Sequence, residues 1–93
     1  MEFEWNAAKS ARCRRERGFD FGFASLIFSG PTLEWDDDRF DDGEIRIVAV
    51  GLATGIAITV VYTDREGKNG IVRRIISARR SNRQERKAYG EVL

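Results

Sequence analysis

Three runs rich in isoleucine and valine, residues 44–51, 56–63 and about 71–78, fill the second half of this 93-residue chain. β-Branched side chains pack well on a pleated surface. Only short glycine-containing connections separate the runs, at residues 53–55 and 64–70. Connections this short cannot carry a crossover, so they predict an antiparallel meander. The second run is apolar on both alternating faces, which predicts a central strand. Its flanking runs carry Arg46, Arg73, Arg74 and Arg79 among apolar residues. Arginines are costly to bury, so these must face water, meet carboxylates or line a site.

The first half reads differently. Glu2-Phe3-Glu4-Trp5 alternates acidic and aromatic residues, as a short half-buried strand does. Asn6 can cap a helix that runs to about Arg17 and stops at Gly18. Asp20 can cap a second, with Phe21, Ala24 and Phe28 on one face, ending at Gly30-Pro31. An acidic loop or ragged strand then leads to Gly43. At the far end Ser81-Asn82-Arg83-Gln84 reads as a capping box opening a C-terminal helix through about Tyr89. The expected fold is one α+β domain over residues 1–93, an antiparallel sheet packed against two N-terminal helices on one face, with a C-terminal helix.

Composition narrows the chemistry. There is no histidine and a single cysteine, Cys13. An internal disulfide, a cysteine-based zinc site and the usual neutral-pH general base are excluded. The acidic residues at 34–42 do not have calcium-loop spacing, and no cofactor or metal is expected. No apolar run reaches the roughly 20 residues that span a bilayer. The first five residues lack a basic start followed by an apolar stretch. The expectation is a soluble cytoplasmic protein with no membrane partner.

A net charge of +1 conceals segregation. Acidic residues dominate 34–44, while arginines crowd residues 12–17 and 73–86. Arginine binds phosphate through two parallel hydrogen bonds. The pattern points to a local anionic ligand such as RNA, to an acidic partner, or to a solvated surface laced with salt bridges.

The residues also resemble a known family. Phe3-Glu4-Trp5-Asn6-x-x-Lys9, Gly18-Phe19-Asp20-Phe21 with Ala24 and Phe28, and Asp42-Gly43-Glu44-x-Arg46 are similar to successive segments of BrnT toxins. So are Val60-Val61-Tyr62-Thr63 and the ending Arg74-Ile75-Ile76-Ser77-Ala78-Arg79-Arg80, with Glu85-Arg86 and Tyr89. The resemblance implies a RelE-like fold, RNA cleavage and growth arrest. It also implies neutralisation by a BrnA-like ribbon-helix-helix antitoxin, with operator DNA bound only through the toxin–antitoxin complex. One departure is specific. Glu16 and Arg17 stand where the family carries a lysine and a histidine, so a silent domain that binds antitoxin and aids promoter repression is the alternative reading.

Metal-free RNA cleavage must deprotonate a 2′-hydroxyl, stabilise the charge on phosphorus and protonate the departing 5′-oxygen. Arg79, Arg74 and Arg46 are the candidate phosphate binders, and Glu44 the candidate base, with Asp42 as the neighbouring acid. Tyr89 and Tyr62 are candidate proton donors or stacking groups, with core packing the alternative for Tyr62. Arg80, Arg83, Arg86 and Lys9 are candidate RNA contacts. Arg79 and Arg74 have an alternative role as salt-bridge partners of Glu44, Glu85 or the acidic segment. Trp35 can be a partner anchor or a hydrophobic plug.

Overall fold

The computed structural model of the chain describes residues 1–39 and 43–92. The expectations for Asp41 and Asp42 fall outside them. The order is β1 (Glu2–Trp5), α1 (Ala7–Arg17), α2 (Phe21–Ala24), a 3-10 turn (Ser25–Ser29), β2 (Leu33–Asp36), β3 (Ile47–Ala53), β4 (Ile56–Gly67), β5 (Gly70–Arg80) and α3 (Arg83–Val92). Among the described residues the strands form one sheet in the order β1-β5-β4-β3-β2.

The meander of β3, β4 and β5 is antiparallel, as expected, and β4 is central. The sheet as a whole is mixed, which corrects the all-antiparallel expectation. β1 lies parallel to β5, with Trp5 opposite Ile75. The whole intervening chain supplies the long crossover that parallel pairing needs. The acidic segment contributes an edge strand, β2, antiparallel to β3.

The β4–β5 hairpin is longer than the apolar runs suggested. Asp64, Arg65 and Glu66 continue the ladder, and only Lys68 and Asn69 form the turn. Asp64 sits opposite Arg73 and accepts from its Nε at 2.8 Å and Nη2 at 2.9 Å, so opposite charges extend the pairing where apolar residues end. Between β3 and β4, Thr54 and Gly55 both have positive φ, 47° and 83°. This is the two-residue turn whose twist matches paired strands.

Alternation divides the sheet into two faces. Ala49, Ile58, Val60, Tyr62, Ile75 and Ala78 meet Cys13, Phe21, Ala24 and Ile27 in the core. Asn6 caps α1 through Lys9 N at 3.1 Å, and Asp20 caps α2 through Phe23 N at 2.8 Å. The second helix is one α turn followed by 3-10 geometry, shorter than expected. There Ser25 Oγ donates to Gly22 O at 2.7 Å, a local bond that competes with regular helix.

The opposite face carries Val48, Val50, Thr59 and Val61. α3 lies against it, because Thr59 Oγ1 donates to Glu85 at 3.0 Å. The helices therefore occupy both faces, not one. The capping box is also displaced by one residue. Glu85 N donates to Asn82 Oδ1 and Asn82 N to Glu85 Oε1, both at 2.8 Å, while Ser81 is buried against Thr59. No described helix is long and apolar enough to cross a membrane.

Candidate nucleic-acid interface

A β-bulge opens the site. Val61 lies opposite Ser77 but Tyr62 lies opposite Ile75, which leaves Ile76 without an opposite number. Such a bulge re-aims side chains locally. β1 reaches along β5 only as far as Ile75, so beyond that point the chain of α1, not a strand, flanks β5.

An open hollow of about 330 Å³ occupies this position. Val61, Ile76, Ser77 and Ala78 contribute its sheet side, and Lys9, Arg12, Cys13, Glu16 and Arg17 its helix side. These five fall at i, i+3, i+4, i+7 and i+8, one stripe of α1. Arg39 and Arg46 join from the segments after β2 and before β3. Five cations thus line one hollow with one carboxylate, Glu16, among its described residues.

Several of these side chains are held by specific contacts. Asp37, with its side chain only 3% exposed, accepts from Arg39 Nε and Nη2, both at 2.8 Å, and its own N–H donates to Arg46 O at 2.8 Å. This ties the Arg39 segment to the start of β3. The Arg39 hydrogen bonds hold the Asp37 carboxyl below its ordinary pKa. Glu16 accepts from Arg12 Nε at 2.9 Å, which likewise lowers its pKa and keeps it ionised at neutral pH. Cys13 is buried, donates to Ala78 O at 3.5 Å, and has its thiol pKa raised by burial. It is packing, not a nucleophile.

The residues singled out from the sequence separate into groups. Lys9 and Arg46 line the hollow, and Glu44 meets Arg46 Nη2 at 3.3 Å. Arg74 and Arg79 are not among its lining residues. Arg74 reaches Glu4 at 3.4 Å, a carboxylate already gripped by Arg65 at 2.6 and 2.7 Å. Arg79 is bound twice by Glu85. Strand register nevertheless sets Arg74 and Arg79 on the sheet face that carries Val61 and Thr59. Tyr89 donates to Pro31 O at 2.9 Å and pins α3, and Arg86 donates to Ser81 O at 2.7 Å. Arg80 borders a separate cleft with Arg14 and Phe23, and Arg83 is exposed at the start of α3. Tyr62 is buried, with its hydroxyl on Glu34 at 2.7 Å.

Sequence reasoning noted Arg12 and Arg17 as part of a basic cluster but gave them, Arg39 and Ser77 no role in a site. The helical stripe was the available signal for the first two. Its charged character hid it from a search for apolar periodicity. No cluster of three or more potential metal ligands exists among the described residues.

The sequence matches, over residues 5–85, the family described as ribonuclease toxin, BrnT, of type II toxin–antitoxin system. No curated protein matches it. The match spans both the helical stripe and the strands that build the hollow, and on it the chain belongs to the BrnT family of ribonuclease toxins, whose type II systems pair each toxin with an antitoxin.

Proposed function

We propose that the cationic hollow is the RNA-cleaving site of a metal-independent endoribonuclease with a RelE-like toxin architecture. The observation that carries this reading is the convergence of Lys9, Arg12, Arg17, Arg39 and Arg46 on one open concavity, with Glu16 the one carboxylate among its described lining residues. Preorganised cations stabilise charge that develops on phosphoryl oxygens, and positioned groups of this kind contribute several kcal/mol, roughly. Arg46 and Lys9 grip the scissile phosphate. Glu44, hydrogen-bonded to Arg46, accepts the 2′-hydroxyl proton as the 2′-oxygen attacks phosphorus. The bond to the 5′-oxygen breaks, that oxygen takes a proton from Lys9, and a 2′,3′-cyclic phosphate remains. Arg74 and Arg79 lie on the same sheet face, each paired with a carboxylate.

Cytoplasmic action and neutralisation by a BrnA-like ribbon-helix-helix antitoxin complete the reading, with operator DNA bound through that complex. The test is incubation of the purified chain with single-stranded RNA in EDTA. Cleavage that falls at least tenfold in Arg46→Ala is expected, a change of about 1.4 kcal/mol in the barrier. Cleavage no greater than that of Arg46→Ala overturns the assignment.

One observation favours a second reading. Glu16 neutralises Arg12 inside the hollow, which weakens the grip on phosphate and suits a domain that binds antitoxin without cutting RNA. Expression without antitoxin separates the two, since only the nuclease arrests growth.

A further inference from the structure

We propose that Trp35 is a stacking platform for a nucleobase of single-stranded RNA whose phosphate lies in the cationic hollow. The inference rests on the hollow being the RNA site and extends it across the sheet. Trp35 is 40% exposed although it sits within β2. It lies opposite Val48, Val48 opposite Val61, and Val61 opposite Ser77. These four residues form one row on one sheet face, and Val61 and Ser77 line the hollow. Three strand spacings separate the ends of the row, about 14 Å.

Charge favours RNA as the occupant. Alternation turns Glu34 to the other face, where it accepts from Tyr62 at 2.7 Å and from Thr32 at 2.7 Å. Asp36 shares that orientation in the strand, being paired with Ile47 of the core side. Asp37 is clamped by Arg39. The cations nearest in sequence, Arg39 and Arg46, belong to the segments that leave β2 and enter β3 at the Trp35 end of the pair. Val48 and Val61 are buried between them, so the exposed indole and the cations of the hollow stand at the two ends of the row, where one can hold a base by stacking and the other its backbone by charge.

The probes are a dinucleotide and a longer single-stranded oligonucleotide, both 2′-O-methylated so that neither can be cleaved. Binding is measured for the intact protein, Trp35→Ala, Trp35→Phe and Arg46→Ala. Trp35→Ala is expected to weaken the longer probe roughly tenfold and to leave the dinucleotide unchanged, which also reports a folded hollow. Trp35→Phe retains most of the affinity. Equal affinity of Trp35→Ala and the intact protein for the longer probe, with Arg46→Ala weakened, overturns the platform alone. If Arg46→Ala also binds like the intact protein, the hollow is not an RNA site and the platform falls with it. Intact RNA binding with lost antitoxin binding in Trp35→Ala overturns the platform and assigns the indole to a protein partner.

Discussion

Arg79 and Glu85 form a two-pronged ion pair, with Nη1 to Oε1 at 2.7 Å and Nη2 to Oε2 at 2.8 Å, and it joins the end of β5 to the first turn of α3. The same carboxylate caps α3 through Asn82 N and accepts from Thr59. A residue that the sequence marks as a phosphate binder therefore has a structural partner that holds the C-terminal helix on the sheet.

The pair makes stability depend on acid. Hydrogen bonds from Arg79, before all other causes, lower the Glu85 pKa from an ordinary 4.5 to about 2. Folding lowers this pKa, so its contribution is complete above about pH 4.5 and disappears as pH falls toward 2. With the guanidinium half exposed, the contribution is about 2 kcal/mol after allowance for solvent screening. Denaturant unfolding at pH 7 and at pH 3 should show Glu85→Gln less stable at the higher pH and nearer the unsubstituted protein at the lower.

Salt titration distinguishes cations that touch phosphate from those that hold the fold. Lys9→Ala, on the exposed stripe of α1, should reduce the slope of log affinity against log salt by about 1 for each phosphate that the ammonium group neutralises. Its unfolding midpoint should stay where it is. A slope equal to that of the unsubstituted protein would remove Lys9 from the interface.

Glu16 opposes an anionic ligand. Glu16→Gln removes the ionised carboxylate and frees Arg12 from its 2.9 Å pair, so affinity for non-cleavable RNA should rise severalfold, most at low salt. An unchanged or weaker affinity would show that the hollow does not receive phosphate. The pair is exposed and its loss should leave thermal stability nearly unaltered.

Gly51 is required by packing. A Cβ there would stand 2.8 Å from Ile27 Cβ, 3.1 Å from Thr32 Cγ2 and 3.3 Å from Ile27 O. Gly51→Ala should destabilise by about 1–3 kcal/mol, because a well-packed core has no slack for the methyl group. Thermal unfolding reads the effect directly.

Much of the fold was legible because its signals are local. Asn6, Gly18 and Asp20 mark helix ends through hydrogen bonds within a few residues, and the Ile/Val runs mark the meander through alternation. The misplaced capping box shows the limit of that information. Ser81 and Asn82 are both good N-cap residues, and Asn82 takes the role because Ser81 is drawn into the buried bond with Thr59, 22 residues away in sequence. β1 beside β5 was equally out of reach, since no local pattern states which edge a strand joins.

Sequence by itself determined the ends of α1, the antiparallel meander, the family and the excess of arginine, because caps, periodicity and ordered motifs depend on neighbours along the chain. Tertiary structure decided which arginines are engaged in holding the fold and which face the hollow. Arg79 met Glu85, and Arg74 shared Glu4 with Arg65, whereas Lys9, Arg12 and Arg17 came to Arg39 and Arg46 from elements far apart in sequence. The physical reason is that an arginine's role is set by the nearest carboxylate in space, and spatial proximity across a sheet is fixed by register and topology that the linear order does not contain.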